Sequence, residues 1–119
     1  MFTAEHDQFR QTVRRFVKDE ISPNVDRWEA NKEFPAHKLF PRMGELGMLG
    51  ASYPEEYGGA GADYAFHVIV ADEMGRCGCM GVPMATLVQS DIAVSGLAQY
   101  GSHELKEKFL APAVAGELV

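Results

Sequence analysis

Residues 80–100 read MGVPMATLVQSDIAVSGLAQY, and Asp91 is the only charged residue among them. Pro83 lies near the start of this stretch and Gly101 follows its end, which predicts a helix between them. A helix that is apolar on nearly all sides is usually buried on most of them. A carboxylate on such a helix must be paired, or must face a polar cavity or solvent. The stretch therefore predicts a helical domain in which Asp91 occupies a polar environment.

One face of this helix is a candidate binding surface. Met84, Val88 and Ile92 are spaced four residues apart, so their side chains stack along the helix, and Gln89 lies beside them. An apolar stripe at this spacing is more often core than pocket, and the pattern alone leaves both interpretations open. The helix carries more apolar surface than a bundle of about five helices buries. We therefore expect part of that surface to be exposed, or covered by another copy of the chain.

Apolar stripes at helical spacing recur on both sides of this segment. Thr3, Asp63 and Ser102 are placed to cap three of the helices. No stretch alternates with period two, so we predict an all-α fold, a helical bundle of about five to six helices. The residues expected to face the core are Phe9, Val13, Phe16, Val17, Val25, Trp28, Leu39, Phe40, Met43, Leu46, Phe66, Ile69, Val70, Met74, Leu105, Phe109 and Leu110.

Two local patterns carry more specific expectations. Pro41 interrupts the third helical pattern, and we expect the helix to split there because proline removes a backbone donor. Arg10, Arg14 and Lys18 share one face of the first helix. Such a row is usually a solvated surface, and we interpret it so.

Composition narrows the function classes. The 119 residues are 46% hydrophobic and carry a formal net charge of -6, which disfavours non-specific nucleic-acid binding. No apolar run approaches the ~20 residues needed to span a bilayer, and residues 1–7 lack the basic and apolar regions of a secretory signal. With only two cysteines, nothing suggests a disulfide framework. We expect a bacterial cytoplasmic or a mitochondrial matrix location.

Two motifs could indicate a ligand site, a phosphate-binding loop and a metal site. Residues 57–63, YGGAGAD, resemble a phosphate-cradling loop, but no strand precedes them and the G-x-G-x-x-G order and P-loop lysine are missing. A tight turn with glycines at positive φ is favoured. Cys77 and Cys79 are too few ligands for a closed zinc site, so packing is favoured for both. The histidines are scattered in sequence, so we predict neither a metal site nor a catalytic triad.

Residues 54–63, PEEYGGAGAD, and several further segments in the same order along the chain resemble the opening of acyl-CoA dehydrogenases. Residues 54–63 are the strongest match, and residues 72–76, DEMGR, resemble the family's acidic pair followed by arginine. Residues 81–84 and 90–92 look closest to members acting on long or branched acyl chains. Further matching segments are residues 5–10, 13–16, 28–29, 47–50, 100–102, 106–110 and 115–117.

The resemblance covers the first, helical domain of that family. It implies a full-length flavoprotein that desaturates acyl-CoA thioesters with FAD, a middle β-domain and a C-terminal helical domain. Those later domains supply the flavin contacts and the catalytic base, so no residue here is predicted to be catalytic or to bind the cofactor. Residues 1–119 are expected to be a fragment that is inactive alone. Implied partners are the acyl-CoA substrate, the remaining domains, further subunits of a tetramer and an electron-transfer flavoprotein.

The apolar helix is the segment that matches one wall of the acyl pocket. We therefore expect Met84, Val88 and Ile92 to line that pocket, with Gln89 at its edge. Two alternatives stay open: an acyl-CoA oxidase or flavin monooxygenase relative, and a stand-alone helical interaction module. The apolar helix argues against the module, because a stand-alone bundle should show a polar face there.

Overall fold

The computed structural model describes residues 2–119, and among those residues the regular structure is helical, with no β-strand. Wide π turns and one 3-10 turn connect neighbouring α-helices, so the described residues form five continuous helical segments, 4–31, 36–45, 65–74, 81–100 and 103–114. The predicted all-α bundle is confirmed. The α-helices are α1 (Ala4–Phe16), α2 (Val25–Asn31), α3 (Ala36–Glu45), α4 (Ala65–Met74), α5 (Gly81–Leu87), α6 (Val94–Tyr100), α7 (His103–Leu105) and α8 (Ala111–Val114). The π turns are Val17–Ile21, Val88–Ala93 and Lys106–Leu110, and 3-10 turns occupy Ser22–Asn24 and Glu55–Tyr57.

The first helix begins with a reciprocal cap. The Thr3 hydroxyl accepts a bond from the amide of His6 at 3.4 Å, and the Thr3 amide donates to Nδ1 of His6 at 2.8 Å. The other ring nitrogen of His6 lies 3.0 Å from Oδ1 of Asp63. Asp63 also accepts from the amide of Ala65 at 2.9 Å, although the N-cap of this helix is Tyr64, one residue after the predicted Asp63. His6 therefore joins the start of α1 to the start of α4.

Helices α1 and α4 pack along each other around a buried carboxylate. Glu73 is 1% exposed, and both Arg10 and Arg14 donate to its Oε1 at 2.8 Å. Arg10 also bonds to Asp72. The interpretation of the basic row as a solvated surface holds for Arg14, which is 56% exposed, but is wrong for Arg10, which is 21% exposed. Both arginines pair with Glu73 because a buried carboxylate requires charged partners. Lys18, one turn further along, is exposed as expected.

Helix α3 runs unbroken through Pro41, so the predicted split is wrong. The missing N–H removes one bond to the carbonyl of His37, and burial of Phe40 and Met43 on either side holds the helix together. The C-terminal segment lies directly against this part of α3. Gly116 has φ +81° and packs against the backbone of Phe40.

The molecule is a thin slab of 41 × 34 × 19 Å, about two helix layers deep. One core lies among α1 to α5, and a second, smaller core lies between residues 53–57 and the helices from α6 onward. In so thin a slab a helix is covered on one side only. Leu110 is buried, whereas Leu105 and Phe109 are exposed, so the expectation that both face the core is wrong. No helix among residues 2–119 is long and apolar enough to cross a membrane.

Candidate functional site

The rod formed by α5, the π turn and α6 carries an exposed apolar stripe. The exposed fractions are 57% for Met84, 41% for Val88 and 68% for Ile92. The opposite side of the rod is buried at Val82, Thr86 and Ser90. The eleven hydrophobic residues of the rod cannot all be covered in a two-layer slab, so one face of the rod remains open. The expectation that part of this helix is exposed is confirmed.

The middle of the rod, residues 88–93, is a π turn, and a side chain from outside the rod donates a hydrogen bond to one of its carbonyls. The hydroxyl of Tyr53 donates to the carbonyl of Ser90. Burial, followed by the charge of Asp91, raises the pKa of Tyr53 to about 12, so the phenol stays protonated and remains a donor at neutral pH. Single-turn π segments occur frequently at functional sites. Here the segment directs Ser90 and Asp91 toward the bundle while Val88 and Ile92 face outward.

Asp91 is paired, as its place on an apolar helix requires. Its Oδ1 lies 2.8 Å from Nδ1 of His67, and Nε2 of His67 lies 2.6 Å from the hydroxyl of Ser52. With Nδ1–H donating to the carboxylate, Nε2 accepts the Ser52 proton. The aromatic ring of Tyr64 stacks on His67 with a centroid separation of 5.3 Å. The loop, α4 and the π turn are thus joined through one buried imidazole.

The Ser52, His67 and Asp91 side chains have the order of a nucleophile, a base and an orienting acid. Acyl transfer also needs hydrogen-bond donors for an oxyanion. The amide of Tyr53, next to Ser52, is already donating to the carbonyl of Gly50 at 3.1 Å. We therefore assign the arrangement a structural role, fixing the π turn against the loop. Sequence reasoning missed it because His67 and Asp91 lie on different helices, although the need for a partner at Asp91 was evident.

Gln89 lies at the margin of the stripe, and its amide nitrogen bonds to the backbone. Its Nε2 donates to the carbonyl of Ala113 at 3.2 Å and to that of Leu118 at 2.9 Å. The side chain therefore ties the π turn to the C-terminal segment. Of the four predicted site residues, the three apolar ones share an exposed face and Gln89 borders it.

The glycine-rich segment is a tight turn, as favoured by its sequence. Gly58 and Gly61 have φ of +90° and +61°, and a Cβ at Gly59 would collide with the carbonyl of Tyr53. The amides of residues 58–62 all donate to nearby backbone carbonyls at 2.8–3.3 Å. These amides are therefore not free to cradle a phosphate. Among residues 2–119, no group of three or more metal-ligating side chains comes together.

Comparisons with known proteins agree on one family. A family model described as "Acyl-CoA dehydrogenase, N-terminal domain" matches residues 3–117. A probable acyl-CoA dehydrogenase of Bacillus subtilis is 36% identical over 115 residues, which is 96% of this chain and 30% of the relative. The crystal structure of an acyl-CoA dehydrogenase from Geobacillus kaustophilus aligns with a TM-score of 0.91 at 33% identity, covering 99% of this chain and 30% of that one.

A second solved structure, an acyl-CoA dehydrogenase from Bacillus anthracis complexed with FAD, aligns with a TM-score of 0.89 at 31% identity. The alignment covers 98% of this chain and 20% of that one. The chain thus spans about a third or less of the length of the relatives it matches. A match over nearly every residue, in both sequence and structure, establishes the family. The chain belongs to the acyl-CoA dehydrogenase family, as its N-terminal helical domain.

Proposed function

We propose that this chain supplies one wall of the acyl pocket in an FAD-dependent acyl-CoA dehydrogenase that desaturates acyl-CoA thioesters. The observation that carries the proposal is the exposed stripe of Met84, Val88 and Ile92 on a rod whose other side is buried. A fatty tail requires an apolar slot with few polar groups, and such slots form between helices. The stripe is one side of such a slot.

The polar groups around the stripe are suited to shaping a slot. Asp91 is turned away and accepts a hydrogen bond from His67, so no unpaired carboxylate faces the stripe. Gln89 donates its amide hydrogens to backbone carbonyls, so its amide nitrogen does not point into the apolar stripe. A slot of this kind keeps water from the reactive centre of a desaturation. In the proposed enzyme Gln89 stands at the edge of the slot.

The flavin belongs elsewhere in the proposed enzyme. The glycine-rich turn does not fit a flavin pyrophosphate, because its amides already donate to backbone carbonyls. We therefore place FAD and the catalytic base in the middle β-domain and the C-terminal helical domain of a full-length protein. The same proposal includes a tetramer, an electron-transfer flavoprotein as electron acceptor, and a bacterial cytoplasmic or mitochondrial matrix location.

The test is a chimera in which residues 3–117 replace the matched segment of a flavin-containing relative. We expect the purified chimera to hold FAD and to reduce an artificial electron acceptor when acyl-CoA is added. A folded, flavin-loaded chimera that oxidises no acyl-CoA would contradict the proposal and favour a stand-alone interaction module.

A further inference from the structure

Two cysteines in the linker between α4 and α5 face each other. The Sγ atoms of Cys77 and Cys79 are 3.5 Å apart, and both thiols are free. Gly78 between them has φ +89°, and a Cβ there would meet no atom of the described residues within 4 Å. A disulfide has an S–S distance of ~2.05 Å, so the sulfurs must approach by only about 1.5 Å. The glycine gives the linker the freedom for that adjustment.

The two thiols differ in accessibility. Cys77 is 4% exposed and belongs to the main core, and burial raises the pKa of its thiol. Cys79 is half-buried and lines an open cavity of about 460 Å³ together with Trp28 and Phe34. A reagent in solution therefore meets Cys79 first. The Cys77 sulfur is close enough to attack a mixed disulfide formed on Cys79.

We propose that Cys77 and Cys79 are a reversible redox pair, which closes to an intramolecular disulfide by exchange with a low-molecular-weight disulfide. The Cys79 thiolate attacks one sulfur of the small disulfide, forming a mixed disulfide and releasing one small thiolate. Cys77 then loses its proton and attacks the Cys79 sulfur, releasing the second. Two protein thiols are oxidised to one disulfide, the small disulfide is reduced, and the two protons lost are taken up by the two small thiols.

The proposed Cys77–Cys79 disulfide lies immediately before the apolar rod. Helix α4 ends at Met74 and α5 begins at Gly81, so the disulfide lies in the short linker that sets where α5 starts. The carbonyl of Cys77 also accepts a bond from the hydroxyl of Ser22 at 3.5 Å. Oxidation therefore stiffens the junction at which α5 leaves the main core.

The test uses the reduced chain incubated with oxidised glutathione and followed by intact-mass spectrometry. We expect the final product to have lost two hydrogens and to carry no glutathione, with peptide mapping placing the bond between Cys77 and Cys79. The emission of Trp28, the only tryptophan in the sequence, should fall on oxidation and return with dithiothreitol. A stable glutathione adduct on the wild-type chain, a disulfide-linked dimer, or no reaction of the folded chain would overturn the proposal.

Two variants test the order of attack. Cys77→Ala should accumulate a lasting glutathione adduct on Cys79, because the second thiol is missing. Cys79→Ala should react at least about tenfold more slowly than Cys77→Ala, because the remaining thiol is buried. Equal rates for the two variants, both folded by circular dichroism, would contradict the assigned order. The mass measurement on the wild-type chain determines whether the disulfide forms, even if a variant does not fold.

Discussion

Arg14 donates two hydrogen bonds to the buried carboxylate of Glu73, from Nε to Oε2 at 3.1 Å and from a terminal nitrogen to Oε1 at 2.8 Å. The two parallel bonds give the geometry that makes arginine–carboxylate pairs strong. Arg10 adds a third bond to the same carboxylate. A single acidic side chain on α4 therefore anchors two successive turns of α1.

Removing the charge of Glu73 should destabilise the chain. Glu73→Gln keeps the shape but replaces one charged acceptor oxygen with a donor that faces guanidinium groups. We expect a loss of about 2 kcal/mol in the free energy of unfolding, measured by urea denaturation. The matched control is Asp72→Asn, because Asp72 also bonds to Arg10 but is exposed; it should lose less than about 1 kcal/mol. Equal losses in the two variants would show that burial of Glu73 is not decisive.

The same pair predicts how stability depends on pH. The hydrogen bond from Arg14, with that from Arg10, holds the pKa of Glu73 below its ordinary value of 4.5. A depressed pKa contributes stability that is present above the ordinary value and is lost as pH falls through the folded-state value. The stability difference between wild type and Glu73→Gln should therefore be largest at neutral pH and shrink as the pH falls from neutral to below the ordinary value of 4.5. A difference that stays constant across that range would rule out this linkage.

The local elements of the fold were predictable from sequence because their signals lie within a few residues. Thr3 caps α1 and Ser102 caps α7 as expected, and the stripes of α1 and α4 identify their buried faces. The predictions that were wrong concerned residues whose contacts come from segments distant in sequence. The solvated surface role assigned to Arg10 was wrong because Glu73, 63 residues away, is buried beneath it. The split expected at Pro41 was wrong because packing around α3 outweighs one missing hydrogen bond.

The candidate site shows the same division. Helical spacing alone put Met84, Val88 and Ile92 on one face, and the structure confirms that they share an exposed stripe. Their role in binding an acyl tail stays a prediction, since it depends on what covers the stripe. The partner of Asp91 was not predictable, because His67 reaches it only after α4 packs against the rod.

The close approach of the C-terminal segment to α3 gives a prediction for Gly116. Gly116→Ala should lower the free energy of unfolding by about 2 kcal/mol or more, because a Cβ would collide with the Phe40 carbonyl at a positive φ. Gly96→Ala is the matched control. It lies in α6 where a Cβ meets no described atom within 4 Å, so the change should stabilise by about 0.5–1 kcal/mol. Thermal unfolding measures both, and a neutral Gly116→Ala would show that the contact is loose.

The chain alone should bind no flavin and catalyse no acyl-CoA oxidation. The amides of residues 58–62 are bonded within the turn, and the carriers of both activities are expected in the other domains. FAD is titrated into the chain with acyl-CoA and an electron acceptor, and absorbance reports both binding and turnover. A stoichiometric yellow protein, or acceptor reduction above the blank, would show that the flavin site has been misplaced.

The stripe itself is tested by narrowing the proposed slot. Val88→Phe in the flavin-loaded chimera should shorten the preferred acyl chain. One methylene contributes roughly 1 kcal/mol in an apolar slot, so a two-carbon shift should change relative kcat/KM by about tenfold or more. The measurement is kcat/KM across a series of saturated acyl-CoA substrates.

The matched control for Val88 is Val68, an exposed valine on α4. The two side chains are 41% and 47% exposed, so phenylalanine at either position should leave the stability of the chain within about 0.5 kcal/mol of wild type. Only Val88→Phe should alter the chain-length profile, because Val68 lies outside the stripe. A stable Val88→Phe enzyme with an unchanged profile would place the acyl pocket elsewhere. Loss of folding in Val88→Phe would instead indicate overpacking of a closed core, and the stripe would then be ordinary core.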